Sequence, residues 1–101
     1  MIKMVFVEGR SCPMVICDQC DRQIERAEDG NVAWLMPDKV IKRGSTSELF
    51  FTHKQCHRAF EHARPGHWWT EELVVWLFNL EGNTPFDRDD AERRSRLFSS
   101  T

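Results

Sequence analysis

Two short pairs of cysteine and histidine residues carry side chains that bind metal ions. Cys17 and Cys20 form a C-x2-C pair, His53 and Cys56 form an H-x2-C pair, and 32 residues separate the two pairs. Three thiolates and one imidazole are a set that Zn²⁺ favours in closed tetrahedral sites. We therefore predict one structural zinc ion bound by these four residues.

Two other residues compete for a place in this ligand set. His57 follows His53 by four residues and offers a second imidazole beside Cys56. Neighbouring residues on a helix point about 100° apart, so Cys56 and His57 are not expected to bind the same ion. Cys12, which precedes Pro13, reaches the site only if its loop folds back. We expect Cys12 to act as a small apolar residue, but both alternatives stay open at this point.

The four cysteines admit two further kinds of chemistry. Two disulfides would be one, but the N-terminal apolar run is too short for a secretory signal, which favours a cytoplasmic protein with reduced thiols. A redox dithiol at Cys17 and Cys20 would be the other, and it needs a βαβ context that the sequence does not show. Metal binding explains both pairs at once and is preferred.

The composition is that of a globular domain of modest size. The chain has 101 residues, of which 41% are apolar and 30% charged, and its net charge is −2. No run of about 18 apolar residues is present, so no membrane segment is expected. We predict a zinc-binding domain over residues 1–84 and a charged, flexible tail over 85–101.

The apolar pattern predicts an α+β fold. Runs of β-branched and aromatic residues predict strands at residues 2–7, 14–17, 31–36 and 48–52. Helical spacing predicts a helix over 54–63 and another over 71–80, the second with Thr70 as its N-cap, and the tail has the composition of a short helix over 88–97. We expect a small zinc-stabilised domain with a mostly antiparallel sheet of three or four strands and two helices.

This order of elements resembles the treble-clef class of zinc fingers. In that class a C-x2-C turn is followed by a β-hairpin and then by a helix that carries the last two ligands. The two pairs are also similar to the first half of a LIM-type module, and the resemblance covers residues 15–63. It implies a structural zinc site. The chain further resembles small bacterial or phage proteins with a C-x2-C near the start and an H-K-x-C later, and this second resemblance implies no activity.

Aromatic residues in segment 68–80 suggest a binding surface. The apolar residues of this segment exceed what a chain of this size readily buries, and aromatic residues are enriched in interface cores. We predict contact with a protein partner, or with a second copy in a two-fold dimer, through Trp68, Trp69, Trp76 and Phe78. The alternative is that these rings complete the protein's own core by covering the sheet.

A second hypothesis assigns the basic, histidine-rich segment 53–67 to nucleic-acid binding. Lys54, Arg58 and Arg64 would contact phosphates there. Three basic side chains are few for phosphate neutralisation, and the neighbouring segment 70–82 has three glutamates and no basic residue. Protein binding is therefore the preferred hypothesis.

No constellation of residues in the sequence indicates catalysis. Residues 53–57 are superficially similar to the metal segment of His-Asn-His nucleases, but residues 21–52 contain no histidine to act as a general base. The paired H-x-E and P-C-x-x-C signature of zinc deaminases is absent as well. We expect no enzymatic activity and no small-molecule substrate.

Overall fold

The computed structural model describes residues 1–36 and 42–99, with side chains as far as residue 97 within these ranges. Part of the predicted connection between the third and fourth strands lies outside the described residues. The elements, in chain order, are β1 (Ile2–Val7), β2 (Arg10–Val15), β3 (Gly30–Leu35), β4 (Phe50–His53), α1 (His57–Ala63), β5 (Trp68–Glu72), α2 (Leu73–Asn83) and α3 (Arg88–Ser99). Short 3₁₀ turns precede β3 and α1. The predicted α+β class is confirmed.

β1 and β2 form a two-stranded antiparallel hairpin. Its tight turn is Glu8-Gly9, where both residues have left-handed backbone with φ of 49° and 79°. Such a turn matches the twist of the two strands, and glycine adopts it without strain. Ile2, Met4 and Phe6 alternate along β1 onto one face and are exposed. The second strand begins four residues earlier than predicted.

The other three strands form an antiparallel sheet in the order β4-β3-β5. β3 is the central strand, and its residues Val32 and Ala33 are fully buried. Its register with β4 places Gly30 opposite His53. The sheet therefore carries one of the predicted metal ligands at its edge.

Helices cover both faces of the three-stranded sheet. The Phe60 ring of α1 lies 4.9 Å from Trp68 and 5.6 Å from Phe50, measured between ring centroids. On the opposite face, the Trp76 ring of α2 meets Phe51 edge to face at 5.5 Å. Successive strand residues point to opposite faces, so Phe50 and Phe51 contact different helices. The sheet is thus packed between α1 and α2.

The buried core is small. Its main cluster consists of Cys17, Ile24, Val32, Phe51 and Leu73. Gly30 lies against this cluster, and a Cβ atom there would be 2.9 Å from Leu73 Cδ2 and 3.0 Å from Ile24 Cγ2. Glycine therefore allows α2 to approach β3 closely. Because small domains bury a smaller share of their surface, a core of this size gains much from a metal clamp.

The second helix begins two residues later than the sequence predicts. The sequence predicts it over residues 71–80, but the chain forms strand β5 as far as Glu72 and helix α2 begins at Leu73. Residues 68–72 pair with residues 31–35 of β3. Two successive tryptophans and a threonine favour a strand, and pairing with β3 outweighs the local cap signal of Thr70. The sequence predicts one sheet and two helices, whereas the described residues form two sheets and three α-helices.

Helix α3 covers the charged C-terminal segment. The helix predicted over 88–97 is observed from Arg88 to Ser99. Ion pairs between residues three or four apart support it along its own length, such as Asp90 with Arg94 at 2.6 Å. Across the described ranges, no helix combines the length and the apolar composition needed to cross a bilayer. The domain boundary after residue 84 stays a prediction.

Candidate metal centre

A reverse turn after β2 contains the first pair of cysteines, Cys17 and Cys20. Two backbone hydrogen bonds close the turn: the Cys17 N–H donates to the Arg22 carbonyl at 2.8 Å, and the Asp21 N–H donates to the Cys17 carbonyl at 3.0 Å. Asp21 has left-handed backbone with φ of 61°, a conformation that aspartate tolerates better than most residues. Cys17 is fully buried as a result, whereas Cys20 lies at the surface.

The second pair follows directly from β4. His53 is the last residue of this strand, and Cys56 ends the 3₁₀ turn Lys54–Cys56 that leads into α1. Residues three apart in a 3₁₀ turn lie on the same side of it. The turn therefore directs the imidazole and the thiol toward one point.

The structure brings the four predicted ligands together. The sulfur atoms of Cys17, Cys20 and Cys56 and one ring nitrogen of His53 all lie within 4.8 Å of one another. Cys20 Sγ is 3.4 Å from His53 Nδ1. Ligand atoms around a tetrahedral zinc ion lie about 3.5–3.8 Å apart, given bonds of about 2.0–2.3 Å. The cluster is compact enough for a single metal ion to contact all four atoms.

A hydrogen bond fixes which nitrogen of His53 faces the cluster. His53 Nε2 lies 3.0 Å from the Gln23 carbonyl oxygen. A carbonyl oxygen can only accept, so Nε2 carries the hydrogen and donates it. The lone pair is then on Nδ1, the atom beside Cys20 Sγ. Metal-binding histidines typically have such a partner on the other nitrogen, which sets the orientation of the ring.

The backbone around Cys17 stabilises its thiolate. Its sulfur accepts the N–H groups of Gln19 and His53, each at 3.4 Å. Burial raises the pKa of the Cys17 thiol, but the backbone N–H groups of Cys20, His53 and Gln19 outweigh it and lower the pKa from 9.0 to about 6. The thiolate is the form that binds metal ions, so the lowered pKa favours metal binding by Cys17.

The pKa of the Cys56 thiol is shifted in the opposite direction. Burial, with the charge of Cys17 and the hydrogen bonds to Cys17 and Cys20, raises the pKa of the Cys56 thiol from 9.0 to about 11. Sulfur atoms this close resist being ionised together, because like charges repel. A divalent cation would supply the missing positive charge and deprotonate the coordinating thiols.

Asp18 joins the two halves of the centre, and sequence analysis missed it. Its backbone N–H donates to the Phe51 carbonyl at 2.7 Å, and its Oδ2 accepts the Phe51 N–H at 2.8 Å. The same oxygen accepts a hydrogen bond from the Met1 amino group at 2.8 Å. The cysteine turn is thereby fixed to β4, two residues before His53. The one signal in the sequence is an aspartate inside the turn, a residue type that often bonds nearby backbone groups.

Arg64 connects the same turn to α1. Its guanidinium donates to Gln19 Oε1 at 3.0 Å and to the Asp18 carbonyl at 3.3 Å. It also lies 4.2 Å from the centre of the Phe60 ring, a cation–π contact. These contacts hold α1, and with it Cys56, against the first pair of ligands.

Arg64→Ala is expected to lower the free energy of unfolding by about 1–3 kcal/mol, because hydrogen bonds from a charged donor and a cation–π contact are lost together. Arg58→Ala is the matched control, since Arg58 is exposed on the same helix and its loss should cost less than about 0.5 kcal/mol. Chemical denaturation of the metal-loaded protein measures both values. Equal losses in the two variants would contradict the role given to Arg64.

Cys12 and His57 lie apart from the cluster. Cys12 is in β2, opposite Val5 of the hairpin. His57 Nε2 lies 3.3 Å from Glu61 Oε1 and 3.5 Å from Thr70 Oγ1. The convergent metal-binding group found among the described residues includes neither of them. The geometry therefore favours His53 over His57 and leaves Cys12 outside the ligand set.

The aromatic residues predicted to contact a partner divide into two pairs. Trp68 packs against α1 and donates its Nε1–H to the Arg64 carbonyl at 2.8 Å, while Trp76 packs on the sheet. By contrast, Trp69 is 49% exposed and Phe78 is 75% exposed. The first pair belongs to the protein's own core, and the second pair is accessible to another molecule.

Two of the three residues predicted to contact nucleic acid have partners within the protein. Lys54 Nζ forms an ion pair with Glu72 Oε1 at 2.6 Å. Arg64 is engaged by the cysteine turn and by α1, as described above. Arg58 is exposed on α1. The three side chains therefore do not combine into one free basic surface.

In comparisons with known proteins, no protein-family model, curated protein or solved structure matches the chain. The likeness to treble-clef and LIM-type zinc fingers accordingly depends on the spacing of the ligands and on the order of the elements. What the described residues establish by themselves is a convergent Cys3His cluster in a small α+β fold.

Proposed function

We propose that this protein is a structural-zinc module that binds another protein. The observation that carries the proposal is the convergence of three sulfur atoms and one imidazole nitrogen within 4.8 Å. Zn²⁺ suits this set, because thiolate and imidazole are its usual ligands in tetrahedral sites. Hard cations such as Mg²⁺ and Ca²⁺ prefer oxygen ligands and do not fit.

The zinc ion would join two segments that are far apart in the chain. Cys17 and Cys20 belong to the turn after β2, whereas His53 ends β4 and Cys56 ends the 3₁₀ turn that leads into α1. Four protein ligands complete a tetrahedral coordination shell and leave no position for a substrate. This favours a structural role over a catalytic one.

The order of the elements supports a treble-clef-like arrangement. The cysteine turn precedes β3 and β4, which pair antiparallel, and α1 follows the last ligand directly. The chain adds β5 on the other side of β3 and the hairpin β1–β2 before the turn. A second cluster of the kind that completes a LIM-type module is not found within the described ranges.

The surface proposed to bind the partner is the α2 outer face, defined by Val74, Val75, Phe78 and Gly82. Leu73 and Trp76 turn toward the sheet, and a step of 100° per residue places these four residues on the opposite side of the helix. A surface helix normally carries polar residues there. Instead, Phe78 is three-quarters exposed and the two valines are each more than two-fifths exposed. Apolar surface of this kind is typical of protein-binding sites.

Capture from a cell extract on the tagged, zinc-loaded protein tests this proposal. We expect one protein to be retained by the wild type, lost with Phe78→Glu and unaffected by nuclease treatment. Phe6→Glu is the matched control, because Phe6 is 74% exposed but lies on the hairpin, and it should retain the partner. Retention that disappears with nuclease would favour the nucleic-acid hypothesis, and equal loss in both variants would exclude the α2 outer face.

A further inference from the structure

We infer that the metal centre is a redox switch in which Cys20 is the cysteine that a hydroperoxide attacks. Oxidation of Cys20 leads to a disulfide with a neighbouring ligand sulfur, and the cluster then no longer binds the metal ion. The inference rests on the proposed function, because it describes how the proposed zinc site is lost and restored. It is carried by the unequal exposure of the ligands and by the distances between their sulfur atoms.

The four ligands differ in their exposure to solvent. Cys17 is fully buried, and His53 and Cys56 are half-buried. Cys20 is exposed, as are the three residues that follow it in the chain. A dissolved oxidant therefore reaches the sulfur of Cys20 more readily than the other two sulfur atoms of the cluster.

Exposure decides the order of attack, because coordination gives the three sulfur atoms the same ionisation state. A thiol that coordinates a metal ion is deprotonated. The thiolate is also the form that reacts as a nucleophile. The susceptibility of cysteines to oxidation follows thiolate character and exposure. Since the three ligand cysteines share the first property, the most exposed of them reacts first.

The first step oxidises Cys20 to a sulfenic acid. A lone pair of the Cys20 thiolate attacks one oxygen atom of the hydroperoxide, and the O–O bond breaks. The attacked oxygen stays on the sulfur as a hydroxyl group, and the leaving oxygen takes up a proton as water or an alcohol. Cys20 is then no longer a thiolate and is lost as a ligand.

The second step needs a thiolate close to Cys20, and the cluster provides two. The sulfur atoms of Cys17 and Cys56 both lie within 4.8 Å of Cys20 Sγ. A disulfide bond is about 2.05 Å long, so side-chain rotation has only a short distance to close. One of these thiolates attacks the Cys20 sulfur, the S–S bond forms and the S–O bond breaks. Hydroxide leaves and takes up a proton, so two thiolates have passed two electrons to one hydroperoxide.

Disulfide formation removes two of the four ligands. His53 and one cysteine remain, which is too few for a closed tetrahedral site. Cys17 is also part of the main buried cluster, which has few other members. We therefore expect the oxidised chain to lose both its metal ion and its cooperative fold. A dithiol reductant should restore both, because thiolates exchange with disulfides.

Treatment of the zinc-loaded full chain with hydrogen peroxide tests the switch. A chromogenic chelator measures the zinc that is released, and mass spectrometry identifies the oxidised cysteines after trapping with a reagent specific for sulfenic acids. We expect release of nearly all the bound zinc, a sulfenic acid or a disulfide at Cys20, and recovery of zinc binding after reduction. Cys12→Ser should behave like the wild type, because Cys12 is half-buried in the hairpin and lies outside the cluster.

Cys20→His and Cys56→His form a matched pair of variants. Each replaces one thiolate by an imidazole, a ligand that zinc accepts in Cys2His2 sites. Only the first of them removes the exposed sulfur. Peroxide should release zinc about tenfold more slowly from Cys20→His than from the wild type, and at about the wild-type rate from Cys56→His. If a histidine variant fails to fold, the cysteine that is trapped in the wild type still identifies the point of attack.

The possible results separate this inference from the proposed function. A zinc-loaded wild type that keeps its metal ion in peroxide overturns the switch and leaves the structural-zinc proposal intact. A first oxidation at Cys12, Cys17 or Cys56, or equal slowing in the two histidine variants, also overturns the switch. Elemental analysis before oxidation is the separate test of the metal: a folded chain that contains no zinc would contradict the proposed function, and the switch with it.

Discussion

Cys17→Ser is expected to abolish zinc binding and cooperative folding together. Structural zinc contributes roughly 10–16 kcal/mol of apparent binding free energy in small zinc domains, which is comparable with the whole stability of a typical domain. Cys17 is fully buried and its sulfur accepts two backbone N–H groups, so serine would lose a ligand and leave these donors poorly satisfied. The zinc content measured by elemental analysis should fall from one ion per chain to nearly none, and the cooperative thermal unfolding transition should disappear.

Cys12→Ser is the control for this prediction. Cys12 lies in the hairpin and outside the ligand cluster, so the variant should keep one zinc ion and lose little stability. Removal of the metal by a chelator should reproduce the effect of Cys17→Ser in the wild type, because the ion binds only the folded chain. A purified, reduced and metal-free protein that remains folded would contradict the proposal that zinc stabilises the fold.

Phe60→Ala should cause the second large loss, about 3–5 kcal/mol of unfolding free energy. The Phe60 ring is fully buried between Phe50, Trp68 and the Arg64 guanidinium. Its removal leaves a cavity under α1, the helix that follows Cys56. We therefore expect weaker zinc binding as well, measured by competition with a chromogenic chelator alongside chemical denaturation.

Phe6→Ala controls for the removal of a phenylalanine ring as such. Phe6 is 74% exposed on the hairpin, and its truncation should change stability by less than about 0.5 kcal/mol. Zinc affinity should stay at the wild-type level. If Phe60→Ala left zinc affinity unchanged despite a large loss of stability, the coupling between the packing of α1 and the metal centre would be disproved.

The ligand cluster is predictable from sequence because each half of it is local. Two residues of one short turn need only that turn to face the same way, and the spacing of Cys17 with Cys20 and of His53 with Cys56 encodes this. The contacts that hold the halves together are different in kind. Asp18 bonds Phe51 and Arg64 bonds Gln19 across long stretches of chain. No spacing rule links such pairs, and the sequence pattern gave Arg64 a different role.

Strand β5 shows a second limit of local patterns. Thr70 followed by Glu71 has the composition of a helix start, and the sequence predicted a helix there. The decisive interaction is pairing with β3, more than thirty residues earlier in the chain. The pairing of β5 with β3 also explains why Trp68 is not part of an exposed aromatic surface. Trp68 lies in β5 and packs against the Phe60 ring of α1.

The register between β3 and β4 has a consequence for how this chain reaches its native state. Gly30 lies opposite His53, and α2 packs so closely on Gly30 that no other residue fits there without displacing its neighbours. A slip of one residue would turn the His53 imidazole to the opposite side of the strand, away from the three sulfur atoms. Misaligned strands would then be unable to assemble the complete coordination shell. A bound metal ion would therefore stabilise the correctly aligned sheet relative to the sheet that is misaligned by one residue.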